Sequence, residues 1–120
     1  MITSLAFVVY PVSDIAAARK FYEEFLGLRL THEFGGEWFE YDLGDTTFAI
    51  TLTDADHPVP VRGALAAFEV ADLNAEVARM EGMAIPMASA IRESPVCRFV
   101  RLHDPDGSEI ILHQRRGLPQ

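Results

Sequence analysis

Few side chains in this sequence have the chemistry of a reactive or binding site, and most of those are carboxylates. Glu69 interrupts an otherwise apolar segment, Glu109 lies four residues before His113, and Trp38 lies two residues before Glu40. A carboxylate and an imidazole can act as general base and general acid, and Glu69 could also anchor a cationic group. An aromatic ring beside carboxylates is an arrangement that holds organic cations. The sequence therefore offers two kinds of chemistry, proton transfer and cation binding.

Each of these residues also has a purely structural explanation. Glu69 could pair with Arg101 or lie at a solvent-exposed rim, because an unpaired buried carboxylate is costly. His113 could be a solvated residue of a terminal strand, and the charges next to Trp38 could block edge-to-edge pairing of strands. Cys97 has no neighbour in sequence that would activate its thiol, so we expect it to be a small apolar residue of the core or rim. A displaced metal site is a further alternative, formed by Glu40, Glu69, Glu109 and His113.

Length and composition indicate one globular domain. The 120 residues are 49% hydrophobic and 23% charged, which is typical of a folded protein rather than a disordered one. With 10 Lys and Arg against 18 Asp and Glu, the net charge of −8 disfavours nucleic acid and anionic membranes as partners. The acidity is consistent with solubility alone or with a cationic ligand.

The sequence also carries information on location. No apolar run approaches the roughly 18–20 residues of a membrane-spanning helix. Leu5–Val12 has no preceding positive charge and no cleavage site, so we expect a strand rather than a signal peptide. Cys97 is the one cysteine, which excludes an intrachain disulfide and a zinc site built from several thiolates. We therefore expect a protein of the reducing cytoplasm.

Apolar periodicity predicts a βαβββ arrangement in the first half of the chain. A helix over Ile15–Leu26 follows the N-cap residue Asp14 and presents apolar residues at i, i+3 and i+4 spacing. Gly27 is expected to end this helix. The strands predicted around it are Leu5–Val12, Leu28–Phe34, Glu37–Leu43 and Thr46–Thr53.

The second half of the chain repeats this pattern. A shift of 58 residues places Asp14 on Asp72, the predicted N-cap of a second helix over Leu73–Glu81. The strands predicted in this half are Ala64–Ala71, Ala84–Ala90, Pro95–His103 and Ser108–Gln114. We therefore expect an α+β fold in which two βαβββ modules pair into one eight-stranded, cleft-forming domain. The predicted boundaries are residues 1–53 for module one, 54–63 for a connector, 64–114 for module two and 115–120 for a frayed tail.

Strand alternation predicts which side chains line the cleft, because successive residues of a strand point to opposite faces. One face of each strand is mostly apolar and is expected to pack against the helices. The other face mixes aromatic, hydroxyl and charged side chains, as ligand clefts do. The alternative is a half-buried sheet whose second face is solvated, although such a face does not usually carry so many large apolar residues. The predicted ligand-binding residues are Phe7, Trp38, Glu40, Ala49, Leu65, Glu69, Phe99, Arg101, Ile111 and His113.

Two motifs, together with the internal repeat, resemble a known family. The motifs are Asp14…Phe21-Tyr22-x-x-x-Leu26-Gly27-Leu28 after an apolar strand and Asp104-Pro105-Asp106-Gly107-x-x-Ile110-x-Leu112 before a terminal strand. They resemble the vicinal oxygen chelate superfamily, which includes glyoxalase I, extradiol dioxygenases and bleomycin-resistance proteins. The resemblance covers about residues 3–114 and implies a glyoxalase-like fold. It leaves the activity open, since the superfamily includes isomerases, dioxygenases, thiol transferases and non-catalytic drug binders.

The resemblance also implies where metal ligands would lie. Metal-dependent enzymes of the superfamily hold the ion with side chains at four strand positions, which here are Phe7, Ala49, Leu65 and Ile111. None of these side chains can donate a lone pair to a divalent cation. We therefore expect no metal site and no cofactor.

These observations favour a metal-free protein of the bleomycin-resistance type that sequesters a small cationic or partly apolar ligand. Members of the family commonly complete their clefts by dimerisation, so the resemblance implies a homodimer. One alternative is a lyase or isomerase of glyoxalase or dioxygenase type with a lost or displaced metal, in which Glu69, Glu109 or His113 acts as acid or base. Another is a small accessory subunit whose paired sheets only mediate association.

Overall fold

A computed structural model describes residues 1–116 and contains the predicted repeat. Module one consists of β1 (Phe7–Val12), α1 (Ile15–Arg19) with its π-helical continuation (Lys20–Phe25), β2 (His32–Phe34), β3 (Trp38–Asp42) and β4 (Thr47–Leu52). Module two consists of β5 (Ala66–Glu69), α2 (Leu73–Gly82), β6 (Arg92–Glu93), β7 (Cys97–His103) and β8 (Glu109–Arg115). The predicted α+β fold with two βαβββ modules is confirmed.

Each module forms its own four-stranded mixed sheet, and the two sheets have the same topology. The strand order is β1-β4-β3-β2 in module one and β5-β8-β7-β6 in module two. The first strand of each module runs parallel to the last, and the remaining pairs are antiparallel. As a result β4 and β8 are central strands with hydrogen-bonded neighbours on both sides.

The core of module one is aromatic and lies between the sheet and its helix. Tyr10, Tyr22 and Phe48 are buried, and the ring of Phe48 lies 5.4 Å from that of Tyr10 and 5.1 Å from that of Tyr22. Ile50 is fully buried on the same face of β4. These contacts confirm that the helix packs on the apolar face of the strands, since burial of aromatic side chains contributes strongly to stability.

A polar network ties the helix of module one to β3. The Tyr41 hydroxyl donates to Glu23 over 2.8 Å, and Arg19 Nε donates to the same carboxylate over 2.7 Å. Burial raises the pKa of Glu23, but the hydrogen bonds from Arg19 and Tyr41 outweigh it, so this pKa lies below its usual value. Burial and the Glu23 carboxylate together raise the pKa of Tyr41.

The core of module two is aliphatic. Leu73 and Met80 of α2 are fully buried. The buried residues of its central strands lie on one face of the sheet and are Val100, Leu102, Ile110 and Leu112. Both helices begin as the repeat predicts: Asp14 accepts a hydrogen bond from the Ala17 backbone and Asp72 from the Ala75 backbone, over 3.0 and 3.1 Å. Such caps satisfy backbone N–H groups that have no partner inside the helix.

Three predicted segments are wrong, while the other predicted helices and strands differ from the observed ones by one or two residues at an end. Ala84–Ala90 is not a strand, because Ala84 has a φ of 61° and Pro86 lacks the N–H that a ladder requires; the first edge strand after α2 is β6 instead. The strand predicted at Leu28–Phe34 is confined to β2. Arg115 is the last residue of β8 and not part of a frayed tail; residues 117–120 lie outside the described residues.

The described chain divides into two compact units, Met1–Val61 with Pro105–Gly107, and Arg62–Asp104 with the residues from Ser108 onward. The Asp-Pro-Asp-Gly turn explains this division. Asp106 belongs to the first unit, where its carboxylate accepts from the Ser13 backbone N–H over 2.9 Å and also from the Ser13 hydroxyl. Asp104 belongs to the second unit, where it accepts from the Ser108 N–H over 2.8 Å.

No helix within residues 1–116 is long and apolar enough to cross a membrane.

Candidate functional site

The face of sheet one that points away from the helix carries all four predicted ligand-binding residues of module one. We call it the open face of module one. The register pairs Val9 of β1 and Glu40 of β3 with Ala49 of central β4, so their side chains share this face. Its residues are Phe7, Val9, His32, Phe34, Trp38, Glu40, Asp42, Thr47, Ala49 and Thr51.

An aromatic pair covers the centre of this open face. Phe7 and Trp38 lie on the strands flanking β4, and their ring centroids are 5.5 Å apart at an interplanar angle of 84°. Ala49 lies on β4 between the positions that pair with Phe7 and with Trp38. It is 0% exposed, whereas Phe7 is 47% exposed. The small side chain of Ala49 therefore leaves room for the two rings to meet, and the pair presents apolar surface to solvent.

Carboxylates lie beside the aromatic pair. The indole Nε1–H of Trp38 donates to Glu40 over 2.8 Å, which fixes the carboxylate against the ring. Asp42 accepts from the Gly44 backbone N–H over 2.8 Å. Neither Glu40 nor Asp42 forms an ion pair with any residue in 1–116. The strand positions of this face carry no lysine or arginine. The open face of module one is therefore aromatic and acidic.

The corresponding open face of module two is charge-paired. Its predicted residues Glu69, Phe99, Arg101, Glu109, Ile111 and His113 lie on one face of the sheet, and Leu65 precedes β5 as an exposed residue. Arg101 donates to Glu109 over 3.0 Å. Of the two structural explanations of Glu69, the pair with Arg101 is not formed, because the register places Arg101 opposite Ile111 and within reach of Glu109. The Glu69 side chain is 53% exposed, which agrees with the other explanation, a position at the solvent-exposed rim.

Glu69 instead binds two groups of β8. Its Oε1 lies 2.6 Å from His113 Nδ1, and its Oε2 accepts from the Arg115 backbone N–H over 2.7 Å. Burial raises the pKa of Glu69, but the Arg115 N–H and the His113 ring outweigh it, so this pKa lies below its usual value. Because an ionised carboxylate only accepts hydrogen bonds, Nδ1 carries the proton and Nε2 is left as the acceptor of a neutral ring.

A pocket adjoins this carboxylate–imidazole pair. It has a volume of about 260 Å³ and is lined by Val96, Cys97, His113 and Arg115. Of these residues only His113 is among the predicted site residues. The signal for Arg115 was available, since it continues the alternation of β8 two residues beyond His113. It was missed because the strand was predicted to end at Gln114.

The donor set does not fit a metal ion at the positions that the resemblance implies. Phe7 and Ala49 on sheet one, and Leu65 and Ile111 on or next to sheet two, carry no donor atom on their side chains. Within residues 1–116 no group of three or more His, Cys, Asp or Glu side chains is arranged to hold a metal ion. The described residues thus provide neither the implied site nor the displaced site that was left open as an alternative.

Residues 4–112 match the family model of the glyoxalase/bleomycin resistance protein/dioxygenase superfamily. The chain belongs to this superfamily. The match spans both modules of this superfamily member and confirms the resemblance that the two sequence motifs carry.

Solved structures place the superfamily member among similar folds. TnmS3, an antibiotic binding protein from Streptomyces sp. CB03234, is 26% identical, with 96% of this chain and 98% of that chain covered and a TM-score of 0.81. A glyoxalase/bleomycin resistance protein from the same organism is 28% identical, with 92% and 100% covered and a TM-score of 0.75. Lactoylglutathione lyase from Agrobacterium tumefaciens is 20% identical, with 95% of each chain covered and a TM-score of 0.74, a likeness of fold alone. Comparison with curated proteins gives no match.

Proposed function

We propose that this superfamily member binds a small, partly apolar organic cation at the open face of module one, without a metal ion. The observation that carries the proposal is the Phe7–Trp38 pair with Glu40 held beside it by the indole N–H. The aromatic rings supply apolar contact area, and the carboxylate supplies the charge that a cation requires.

The physical chemistry of this face favours a cation over a neutral or anionic ligand. A cation over an aromatic ring gains about 0.5–2 kcal/mol, depending on how far it is desolvated. The Glu40 carboxylate adds a charge-assisted contact and is not neutralised by an ion pair within residues 1–116. An anion would meet Glu40 and Asp42, and the strands of this face carry no lysine or arginine to offset them; the one group there that can become positive is the imidazole of His32, opposite Glu40.

The comparisons support ligand binding in general terms. A structurally similar protein, TnmS3, is an antibiotic binding protein. The metal-free part of the proposal is supported by the side chains at the implied ligand positions, which lack donor atoms. We infer further that the protein acts in the cytoplasm as a homodimer; the lone cysteine supports the first inference and the family resemblance the second. Light scattering of the purified protein tests the dimer.

Trp38 is the only tryptophan in the chain, so its fluorescence reports on the proposed site directly. We expect choline and benzyltrimethylammonium to quench Trp38, and the uncharged isostere of choline, 3,3-dimethylbutan-1-ol, to bind at least about tenfold more weakly. Glu40→Gln should weaken the binding of both cations by about tenfold. The matched control Glu37→Gln removes a neighbouring exposed carboxylate outside this face and should leave affinity unchanged.

Two results would overturn the proposal. One is equal binding of choline and its neutral isostere, and the other is equal affinity of the Glu40→Gln and Glu37→Gln proteins for the cations. Metal analysis of protein purified without chelator tests the metal-free part separately, since stoichiometric tightly bound zinc, nickel, iron or manganese would contradict it.

A second candidate function is acid–base catalysis by the Glu69–His113 pair, favoured by their 2.6 Å contact beside a pocket. Glu69 orients the ring, and Nε2 is the nitrogen that can take a proton from a substrate. Glu109 is a weaker candidate because it is engaged by Arg101. Turnover of an α-hydroxy or α-keto substrate that His113→Gln abolishes and Glu40→Gln leaves intact would favour this function over binding alone.

A further inference from the structure

We propose that the pocket of module two is a covalent capture site, in which Cys97 attacks small electrophiles that carry an anionic group. This site differs from the proposed cation site in its module, its chemistry and the charge of its ligand. It is also independent of the metal question.

The pocket brings three reactive or charged side chains together. Cys97 is the first residue of β7 and pairs with Arg115 of β8, while His113 lies two residues before Arg115 on the same face. All three line the pocket of about 260 Å³, together with Val96. A water molecule takes up about 30 Å³ in the liquid, so the pocket has room for a ligand of several heavy atoms.

His113, which lines this pocket, can act as a base. The Nδ1–H of His113 is held by Glu69 over 2.6 Å, which leaves Nε2 to accept a proton. A nucleophile served by a base, with the base oriented by a third group, is the general arrangement of nucleophilic catalysis. Glu69 lies on β5, the other neighbour of β8, and is itself fixed by the Arg115 backbone N–H.

The Cys97 sulfur has a hydrogen-bonding partner as well. Ser94 Oγ accepts from the backbone N–H groups of Val96 and Cys97 over 3.3 and 3.2 Å. With its lone pairs engaged, the Ser94 hydroxyl has one proton, which it can donate to the Cys97 backbone oxygen over 3.5 Å or to the Cys97 Sγ, 3.2 Å away. Such a bond is stronger to a thiolate than to a thiol, because the acceptor is then charged.

Arg115 gives the pocket its preference for anions. Arg115 lines the pocket, and its side chain forms no salt bridge with any carboxylate in residues 1–116, although its charge helps to lower the pKa of Glu69. A guanidinium remains protonated at every physiological pH and binds carboxylates in a planar, two-pronged geometry. An electrophile with a carboxylate is therefore drawn toward Cys97.

The chemical step is a substitution that can be written for iodoacetate. The thiol proton passes to His113 Nε2, the sulfur lone pair forms a C–S bond to the methylene carbon, and iodide leaves with the electron pair of the C–I bond. The product is a carboxymethyl thioether at Cys97, with no oxidant or reductant required. Since Cys97 is the only cysteine, the labelling that a Cys97→Ser protein lacks is the labelling at this pocket.

The experiment compares the rates of alkylation by iodoacetate and by its neutral analogue iodoacetamide, followed by intact mass, with N-acetylcysteine as the reference thiol. We expect the ratio of the two rates to favour iodoacetate about fivefold more in the protein than in the reference, because a nearby positive charge attracts only the anion. Arg115→Gln should return this ratio to the reference value while changing the iodoacetamide rate by less than about twofold. Arg79→Gln on α2 makes the same change of net charge away from the pocket and should leave the ratio unaltered.

The role of the base is tested with both reagents. His113→Gln should slow both alkylations about tenfold or more, and Glu69→Gln, which keeps the shape of the orienting side chain, should slow both by a smaller factor. Circular dichroism of each variant establishes that it is folded. A protein whose rate ratio equals that of N-acetylcysteine, or folded His113 and Glu69 variants that react as fast as the parent chain, would overturn the proposal.

Discussion

Module one and module two present different chemistry at equivalent positions of one topology. At the centre of module one, Ala49 pairs with Glu40 on the neighbouring strand; at the centre of module two, Ile111 pairs with Arg101. Glu40 is held by an indole and has no ion pair within the described residues, whereas Arg101 is engaged by Glu109. One open face is therefore acidic and aromatic, and the other is charge-paired beside a pocket that holds a thiol, an imidazole and a guanidinium.

The scaffold and the site are built from alternate residues of the same strands. The residues facing the helices are apolar in both modules and make the core. Apart from Ala49, which is fully buried, the residues facing away are not part of the core, so their chemistry differs between modules without a change of fold.

The largest expected effects come from the two cores. Ile50→Ala and Ile110→Ala each remove a fully buried side chain from a central strand and should lower the free energy of unfolding by about 2–5 kcal/mol. Chemical denaturation measures this loss. Ile111→Ala is the matched control, because the same residue type one position further along lies half-buried on the open face and should cost clearly less. Equal losses at Ile110 and Ile111 would contradict the assignment of the two faces.

The next effect concerns the two carboxylates whose pKa lies below the usual value, Glu23 in module one and Glu69 in module two. A lowered folded-state pKa means that the stabilisation is present above the unfolded pKa of about 4.3 and is lost as pH falls through the folded value. Glu23→Gln should therefore destabilise the protein by about 1 kcal/mol at neutral pH and flatten the decline of stability below about pH 4.5.

Glu69→Gln should also destabilise the protein at neutral pH, but by less than Glu23→Gln. The reason is that the Glu69 side chain is 53% exposed, against 25% for Glu23. Thermal unfolding of both variants across the acid range checks this order. A larger loss of stability in Glu69→Gln than in Glu23→Gln would contradict the expectation that the more buried network contributes more.

The smallest effect is expected at the ion pair of the open face of module two. Arg101→Gln removes a pair whose side chains are 39% and 23% exposed, and partly exposed pairs contribute about 0–1 kcal/mol. Chemical denaturation should show a loss at the low end of this range. A loss of more than about 2 kcal/mol would mean that the pair is part of the core.

Helices and central strands were predictable because their signals are local. The N-caps Asp14 and Asp72 and the apolar alternation of β4 and β8 each act within a few residues of sequence, so their placement follows without knowledge of the rest of the chain. Ala84–Ala90 was misassigned as a strand although Pro86 is a local signal against one, since a proline cannot donate to a ladder. The φ of 61° at Ala84 has no such signal, because alanine rarely adopts it.

The sequence by itself determined the repeat, the superfamily motifs and which residues of each strand share a face. It also determined that Phe7, Ala49, Leu65 and Ile111 lack donor atoms, since that is a property of the side chains alone. Only the tertiary structure decided which side chains contact one another. Glu69 binds His113 rather than Arg101, the rings of Phe7 and Trp38 meet across β4, and Cys97 shares a pocket with Arg115. The physical reason is that strand register and diagonal contacts depend on how distant segments align, and alternation along one strand carries no information about them.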